Sequence, residues 1–207
     1  MVGGNGRRRG GTVTGPESAD EITGYALAAG RGDHAAAAAL VRATQHDVRR
    51  FLTHLSEVRE VDDLVQETYL RAWRSLPGFA GRSSARTWLF AIARRVAVDH
   101  VRAAVTRPRT TGVADWHRFA DETGAPAASG HDDEVTLRSI VDGLSPDRRE
   151  AFVATQILGL SYAEAARVCG CPVGTIRSRV ARAREDLVAA MAPPVARPVP
   201  LSRRGTA

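Results

Sequence analysis

Apolar residues recur every three or four positions along most of this chain, which is the spacing of one face of an α-helix. Residues 20–103 show this period throughout and no alternation of the strand type. The first part of the chain is therefore predicted to form four helices, over 20–29, 34–55, about 60–76 and about 83–103. A second part is predicted to hold a helix over about 133–143, one led by Ser145 and Pro146, and two more within 161–188.

Three stretches lack this period and divide the chain. Residues 1–18 are rich in Gly and Arg, and residues 191–207 are rich in Pro, so both are expected to be disordered. Residues 104–132 collect Pro, Gly, Ala and acidic residues and are expected to be a linker. Within it, Trp116 and Phe119 are too apolar for a fully solvated tether, so part of the linker is expected to dock on a surface.

The predicted fold class is therefore all-α, with two small helical domains, residues 19–103 and 133–190, joined by a flexible linker. The second domain is expected to end in a helix-turn-helix, because residues 161–188 contain a start signal, a turn signal and a second start signal. Ser161 and Glu164 form a capping-box pattern. Gly170 can take the left-handed conformation that ends a helix, and Pro172 is tolerated at the first position of the next one.

The last helix of this motif has two distinct sides. An apolar stripe of Ile176, Val180, Ala183 and Leu187 is predicted to pack inward. The rest of the surface carries arginines beside small or hydroxyl-bearing residues: Thr175, Arg177, Ser178, Ala181, Arg182 and Arg184. This combination is typical of a helix in a DNA major groove, where Arg can contact guanine and Ser or Thr can contact base edges or phosphates. The alternative is a solvated basic helix.

The third predicted helix, about 60–76, has an outer face of mixed character. Asp63, Gln66 and Glu67 surround Leu70, which is expected to be exposed. An exposed leucine among carboxylates favours a protein-binding face, because apolar contact provides affinity and the acids select a basic partner. The alternative is a solvated face stabilised by a Glu67–Arg71 pair at i,i+4.

The fourth predicted helix follows a loop rich in Gly and Ser. Trp88, Ile92 and Val96 mark its buried stripe, with Leu89 beside it. The rest of the helix, outside that stripe, carries an aromatic residue and several arginines: Arg86, Phe90, Arg94, Arg95 and Arg102. A basic helix behind a flexible loop is typical of single-stranded nucleic-acid binding, in which cations hold phosphates and pockets receive unstacked bases.

The net positive charge of the chain is consistent with a polyanionic partner. All 29 basic residues are arginine, and they exceed the 23 acidic residues by six. The two cysteines, Cys169 and Cys171, lie in the turn of the helix-turn-helix and are interpreted as small apolar residues, because a single C-x-C pair lacks the four ligands of structural zinc. No apolar run is long enough to span a membrane and no signal peptide is evident, so a cytoplasmic protein without a membrane partner is expected.

Three stretches together resemble a known family: DDLVQETYLRAW (62–73), SSARTWLFAIARRVAVDHVR (83–102) and GLSYAEAARVCGCPVGTIRSRVARAREDL (159–187). The chain is similar over about residues 20–190 to bacterial sigma factors of the small extracytoplasmic-function type. The first stretch resembles the conserved region-two helix of that family, the second its promoter-melting helix, and the third its region-four helix-turn-helix. Their order along the chain makes the resemblance specific.

The resemblance implies a non-enzymatic subunit, without a cofactor, that binds core RNA polymerase and selects promoters. The implied partners are promoter DNA, the clamp of the largest polymerase subunit and the flap of the second largest, with an anti-sigma factor as a further candidate. Polymerase binding is assigned to Asp63, Gln66, Glu67 and Leu70. The melted −10 strand is assigned to Arg82, Ser83, Ser84, Arg86, Arg94 and Arg95. The −35 duplex is assigned to Thr175, Arg177, Ser178, Ala181, Arg182 and Arg184.

Two other classes of protein fit the sequence less well. A LuxR-like regulator also ends in a helix-turn-helix, but its N-terminal receiver or ligand domain would contain strands, and residues 20–103 show none of their alternation. An enzyme is disfavoured because the chain has no Gly-rich phosphate loop and its six histidines are scattered. Asp99 and His100 are adjacent on a helix and cannot share one face, so they are interpreted as surface and packing residues.

Overall fold

The computed structural model describes residues 18–56, 60–106 and 139–191. Within these ranges every regular element is helical and no strand occurs, which confirms the all-α prediction. The N-terminal half contains α1 (Ala19–Gly30), α2 (His34–Leu55), α3 (Val61–Ser75), a 3-10 turn (Leu76–Gly78) and α4 (Ala85–Thr106). The C-terminal half contains α5 (Pro146–Phe152), a π-helical turn (Val153–Ile157), α6 (Tyr162–Cys169) and α7 (Val173–Met191).

The expected disordered arm, linker and tail fall almost wholly outside the described residues, as do Trp116 and Phe119. Of the helix predicted over 133–143, the structure describes residues 139–142, which are helical and are followed by a turn at Gly143. None of the helices in the described ranges is long and apolar enough to cross a membrane.

Helix α1 and helix α2 are joined by a tight turn whose ends are capped. Asp33 accepts a hydrogen bond from the backbone N–H of Ala36 at 3.0 Å, which satisfies one of the free amides at the start of α2. A Cβ atom on Gly30 would lie 2.8 Å from the carbonyl oxygen of Leu76, so only glycine lets the end of α1 approach the 3-10 turn this closely. The turn therefore fixes α1 against the chain that leads into α4.

Helix α4 is the centre of the N-terminal half, because it packs on α1, α2 and α3. Phe90 is 1% exposed and its ring lies edge-on to that of Phe51, with centroids 5.5 Å apart. Phe90 therefore belongs to the core, although the sequence pattern places it outside the buried stripe. The reason is that α2 covers this side of α4 through Phe51, and α6 of the C-terminal half packs on α4 as well, so α4 is buried on more than one side.

The helix-turn-helix forms as the sequence predicts. The Ser161 side chain accepts from the Glu164 N–H, and the Glu164 carboxylate accepts from the Ser161 N–H at 2.9 Å, which completes the capping box. Gly170 ends α6 in the left-handed conformation, with φ 65°. The inward stripe of α7 is confirmed, since three of its four residues are buried and the fourth is half-buried: Ile176, Val180, Ala183 and Leu187.

The two halves share one continuous apolar core. Residues of α2, α3 and α4 and residues of α5, α6 and α7 belong to the same buried cluster. Polar contacts cross the same boundary, and among them the guanidinium of Arg149 donates to the carbonyl oxygen of His54 at 3.4 Å. The structure is therefore a closed arrangement in which the C-terminal half covers part of α4.

Candidate functional site

Helix α7 presents an exposed basic surface opposite its apolar stripe. Arg177, Ser178, Ala181 and Arg182 are exposed, and Thr175 is half-buried at the beginning of the helix. Arg184, also exposed, donates to the side-chain oxygen of Gln156 at 2.8 Å. The capping box and the turn at Gly170 fix how α6 meets α7, so local hydrogen bonds hold this surface in place.

Arg179 has a different role from its neighbours on α7. It is half-buried, forms an ion pair with Asp147 of α5 and lies 3.7 Å from the sulfur of Cys171. Burial raises the pKa of the Cys169 thiol, which keeps this cysteine protonated and unreactive. In the described ranges no group of three or more His, Cys, Asp or Glu side chains could hold a metal ion. Both cysteines therefore fill the turn and pack beside the arginine.

The outer face of α3 combines an exposed leucine, Leu70, with the carboxylate of Glu67, which is held in an ion pair. Asp63 and Gln66 are exposed, and Leu70 is 42% exposed. Arg71 donates to Glu67 at 2.7 Å and to Asp99 of α4 at 2.6 Å. The hydrogen bonds to Asp99 and then to Glu67 raise the pKa of Arg71, so the guanidinium is firmly charged. The pair at i,i+4 is present, and it leaves the leucine accessible between the polar side chains.

The loop before α4 contains a small pocket with aromatic walls. Arg82 and Ser83 line it together with Phe79 and Trp88, and its volume is about 170 Å³. The two aromatic rings lie 4.9 Å apart at 42°. A pocket with exposed ring edges beside an arginine can receive an unstacked base. The helical period places Trp88 in the buried stripe, and Phe79 is the one aromatic residue of the Gly-rich loop but is not among the named site residues. Its position in that loop near Arg82 is the signal that the sequence offers.

The six candidate residues for single-strand binding separate into two groups. Arg82 and Arg95 are exposed and Ser83 is half-buried. Three others each form a hydrogen bond or an ion pair with a residue of the C-terminal half: Ser84, Arg86 and Arg94. The structure therefore brings only part of this predicted site to an accessible surface.

The contacts of Ser84 and Arg86 are specific hydrogen bonds. Ser84 caps α4 by accepting from the N–H of Thr87 at 3.2 Å, and its hydroxyl donates to Glu164 at 3.3 Å. Arg86 forms an ion pair with Asp47 at 2.7 Å and donates to the carbonyl oxygen of Leu158 at 3.1 Å. Two residues at the start of α4 are thus hydrogen-bonded to the turn and helix that precede α7.

Two glutamates of the C-terminal half supply carboxylate acceptors at this boundary. Burial raises the pKa of Glu150, although the charge and hydrogen bond of Arg94 oppose the rise. Partial burial also acts to raise the pKa of Glu164, but hydrogen bonds from Ser161, Thr87 and Ser84 together outweigh it and lower the pKa. Glu164 is therefore an ionised acceptor that serves both its own helix and the start of α4.

Two family models match separate parts of the chain. The model for Sigma-70 region 2 matches residues 40–106, and the model for Sigma-70, region 4, matches residues 134–187. The chain is 53% identical over 178 residues to the "ECF RNA polymerase sigma factor SigC" of Mycobacterium tuberculosis (strain CDC 1551 / Oshkosh), covering 86% of this chain and 95% of that protein. It is 35% identical over 166 residues to the "ECF RNA polymerase sigma-E factor" of Escherichia coli (strain K12), covering 76% and 87%.

Solved structures show the same likeness. The chain is similar to CnrH in the structure of CnrH in complex with the cytosolic domain of CnrY, with 28% identity and a TM-score of 0.60, covering 84% of this chain and 97% of that one. It is also similar to the sigma factor RpoE of Bartonella quintana, solved in complex with the anti-sigma factor NepR. There the identity is 31%, the TM-score 0.58, and the coverage 72% and 92%.

Proposed function

The chain belongs to the extracytoplasmic-function sigma factors of RNA polymerase and directs transcription initiation. On this basis we propose which function each of its surfaces has. Residues 19–103 form the unit that binds polymerase and the −10 strand, and residues 133–190 form the unit that reads the −35 duplex. The observation that carries this proposal is the pairing of an exposed arginine surface on α7 with an aromatic pocket at the start of α4.

The −35 element is read by the exposed surface of α7. Arg177 and Ser178 lie near the beginning of the helix, the end that enters the groove, and Thr175 supports them from the same turn. Ala181 and Arg182 extend the surface along the groove, and Arg184 reaches a phosphate.

The −10 strand is held by the loop before α4 and by the helix itself. Arg82 and Ser83 lie at the aromatic pocket, where a base can stack against Phe79 or Trp88. Ser84, Arg86, Arg94 and Arg95 extend the site along α4. Because three of these four residues contact partners at the boundary in the closed arrangement, the two halves separate when the promoter is bound.

Core RNA polymerase is bound by the outer face of α3. Asp63, Gln66 and Glu67 surround the exposed Leu70, and the clamp of the largest subunit is the proposed partner. Binding the two halves to separate parts of one polymerase holds both DNA-reading surfaces apart and in register with the promoter. The tethering multiplies two weak half-site affinities.

An anti-sigma factor is a further proposed partner. The similar sigma factor RpoE of Bartonella quintana was solved in complex with the anti-sigma factor NepR, and the similar CnrH was solved in complex with the cytosolic domain of CnrY. A protein that binds the closed arrangement keeps Ser84, Arg86 and Arg94 engaged at the boundary and so prevents promoter binding.

The experiment that tests this function is transcription in vitro with core polymerase and a library of promoters. The expected result is start sites at a single class of promoter, dependent on added factor, with sequence preferences at both −35 and −10. Absence of factor-dependent initiation on every promoter in the library would contradict the proposal.

A further inference from the structure

Two adjacent residues of α4, Asp99 and His100, each form a polar contact with α3. The carboxylate of Asp99 accepts a hydrogen bond from the guanidinium of Arg71 at 2.6 Å. The imidazole Nε2 of His100 lies 2.8 Å from the carboxylate of Glu60, the residue that precedes α3. Neighbouring residues on a helix point about 100° apart, so the two contacts reach different parts of α3. The contact of Asp99 lies near the end of α3, and that of His100 lies at its beginning.

Arg71 is shared between two carboxylates that belong to different helices. Its Nε–H donates to Glu67 of α3 at 2.7 Å, and a second nitrogen donates to Asp99 of α4. An exposed ion pair at i,i+4 holds its side chains only weakly by itself. Because the guanidinium is also fixed to a second helix, it has less freedom to leave Glu67. The pKa of Arg71 is raised, first by the hydrogen bond to Asp99 and then by the one to Glu67, as this shared contact requires.

The orientation of Glu67 matters for the outer face of α3. Glu67 and Leu70 are three positions apart and are therefore neighbours on one face of the helix. A glutamate side chain has several rotatable bonds, and fixing them when a partner binds costs free energy. A carboxylate that is already held beside Leu70 avoids part of this cost.

We propose that Asp99 is a positioning residue for polymerase binding. It anchors Arg71, which holds Glu67 in the orientation that contacts polymerase. This inference rests on the proposed function of the outer face of α3. One arginine between two carboxylates leaves a net negative charge, and the exposed Asp63 adds to it, so the face still suits a basic partner.

The anchoring of Arg71 can be measured without polymerase, by nuclear magnetic resonance on the full chain labelled with nitrogen-15. The Nε–H resonance of Arg71 is identified by its loss in Arg71→Met. We expect this proton to exchange with water more slowly in the wild type than in Asp99→Asn. The Asp99 side chain is 51% exposed, so this change should not unfold the protein. Equal exchange rates in the two proteins would overturn the anchoring.

The effect on Glu67 is measured by competition with a labelled wild-type chain for core RNA polymerase. Asp99→Asn is expected to weaken binding by about two- to tenfold, which corresponds to the cost of ordering one flexible side chain on binding. In a Glu67→Ala background the same change should cause little further loss, because no carboxylate remains to be positioned. An equal loss in both backgrounds would overturn the proposal, since Asp99 would then act without Glu67.

His100→Ala is the matched control for the packing of α3 on α4. It removes the neighbouring polar contact between the same two helices, at the other end of α3. Polymerase binding should stay at the wild-type level. An equal loss of binding in His100→Ala and Asp99→Asn would mean that polymerase binding depends on helix packing in general, and would overturn the specific role of Asp99.

Leu70→Arg in the same competition assay separates this inference from the proposed function. Normal binding by Leu70→Arg would remove the outer face of α3 from the interface, and both proposals would fall. Defective binding by Leu70→Arg together with normal binding by Asp99→Asn would leave the polymerase face in place and would overturn the positioning role alone.

Discussion

The carboxylate of Glu150 in α5 forms an ion pair with the guanidinium of Arg94 in α4, across the boundary between the two halves. The Glu150 side chain is 8% exposed and that of Arg94 is 28% exposed. A carboxylate taken out of water in this way must keep its partner, because an unpaired buried charge is costly. The pair therefore couples the stability of the closed arrangement to a residue that is also proposed to bind the −10 strand.

Arg94→Met is expected to lower the free energy of unfolding by about 3 kcal/mol at neutral pH, because it leaves Glu150 buried without its cation. Urea denaturation followed by circular dichroism measures the change. Arg95→Met, one position along at an exposed site of the same helix, is the matched control and should change stability little. Equal stability of the two variants would show that the ion pair contributes nothing.

Glu164 gives the closed arrangement a dependence on pH. Its pKa in the folded protein is below the ordinary value of 4.5, so its contribution is present above that value and is lost as pH falls through the folded pKa. The stability advantage of the wild type over Glu164→Gln should therefore shrink on acidification below about pH 4.5. Thermal melts of both proteins across this range measure the difference. A constant difference would show that the carboxylate is not titrating as described.

Leu70→Arg is expected to weaken binding to core polymerase by at least about tenfold, because a charge replaces the apolar centre of the proposed contact. The residue is exposed, so the melting temperature should not change. Ala38→Arg, which adds the same charge at an exposed position of α2, is the control. Normal polymerase binding by Leu70→Arg would remove this face from the interface.

The −10 site is best tested at residues that have no structural role at the boundary. Arg82→Ala with Ser83→Ala is expected to block permanganate-detectable promoter opening while footprints over −35 persist, since phosphate and base contacts are lost at the aromatic pocket. Changing Ser84 and Arg86 instead removes a helix cap and an ion pair, and so mixes a folding effect with a binding effect. Loss of both signals in the first variant would argue against separate −10 and −35 surfaces.

Two arginines of α7 should differ in what they recognise. Arg177→Ala is expected to cost roughly 1–3 kcal/mol at the preferred −35 sequence and to relax discrimination at one base position. Arg184→Ala should weaken binding to all sequences alike and reduce the salt dependence by about one phosphate contact. Binding titrations with polymerase present, at several salt concentrations, distinguish the two. A sequence-independent loss in both variants would assign specificity to DNA shape.

Local structure could be predicted from the sequence because it depends on residues within one helical turn of each other. The caps at Asp33 and Ser161, the left-handed turn at Gly170 and the apolar stripe of α7 all follow from such neighbours. The family resemblance rests on the same kind of information, since its three motifs are each contained in a single helix or helix pair. The sequence alone therefore determined the fold class and the family.

Contacts between the halves were decided only by the tertiary structure. Helical period shows which side of α4 is most apolar, but it does not show that α2 and α6 also cover other sides, and so it does not place Phe90 in the core. In the same way, nothing within a turn of Ser84, Arg86 or Arg94 indicates that Glu164, Leu158 and Glu150 are their partners. These contacts join residues more than fifty positions apart, and their pairing depends on how two helical units dock, which no local pattern encodes.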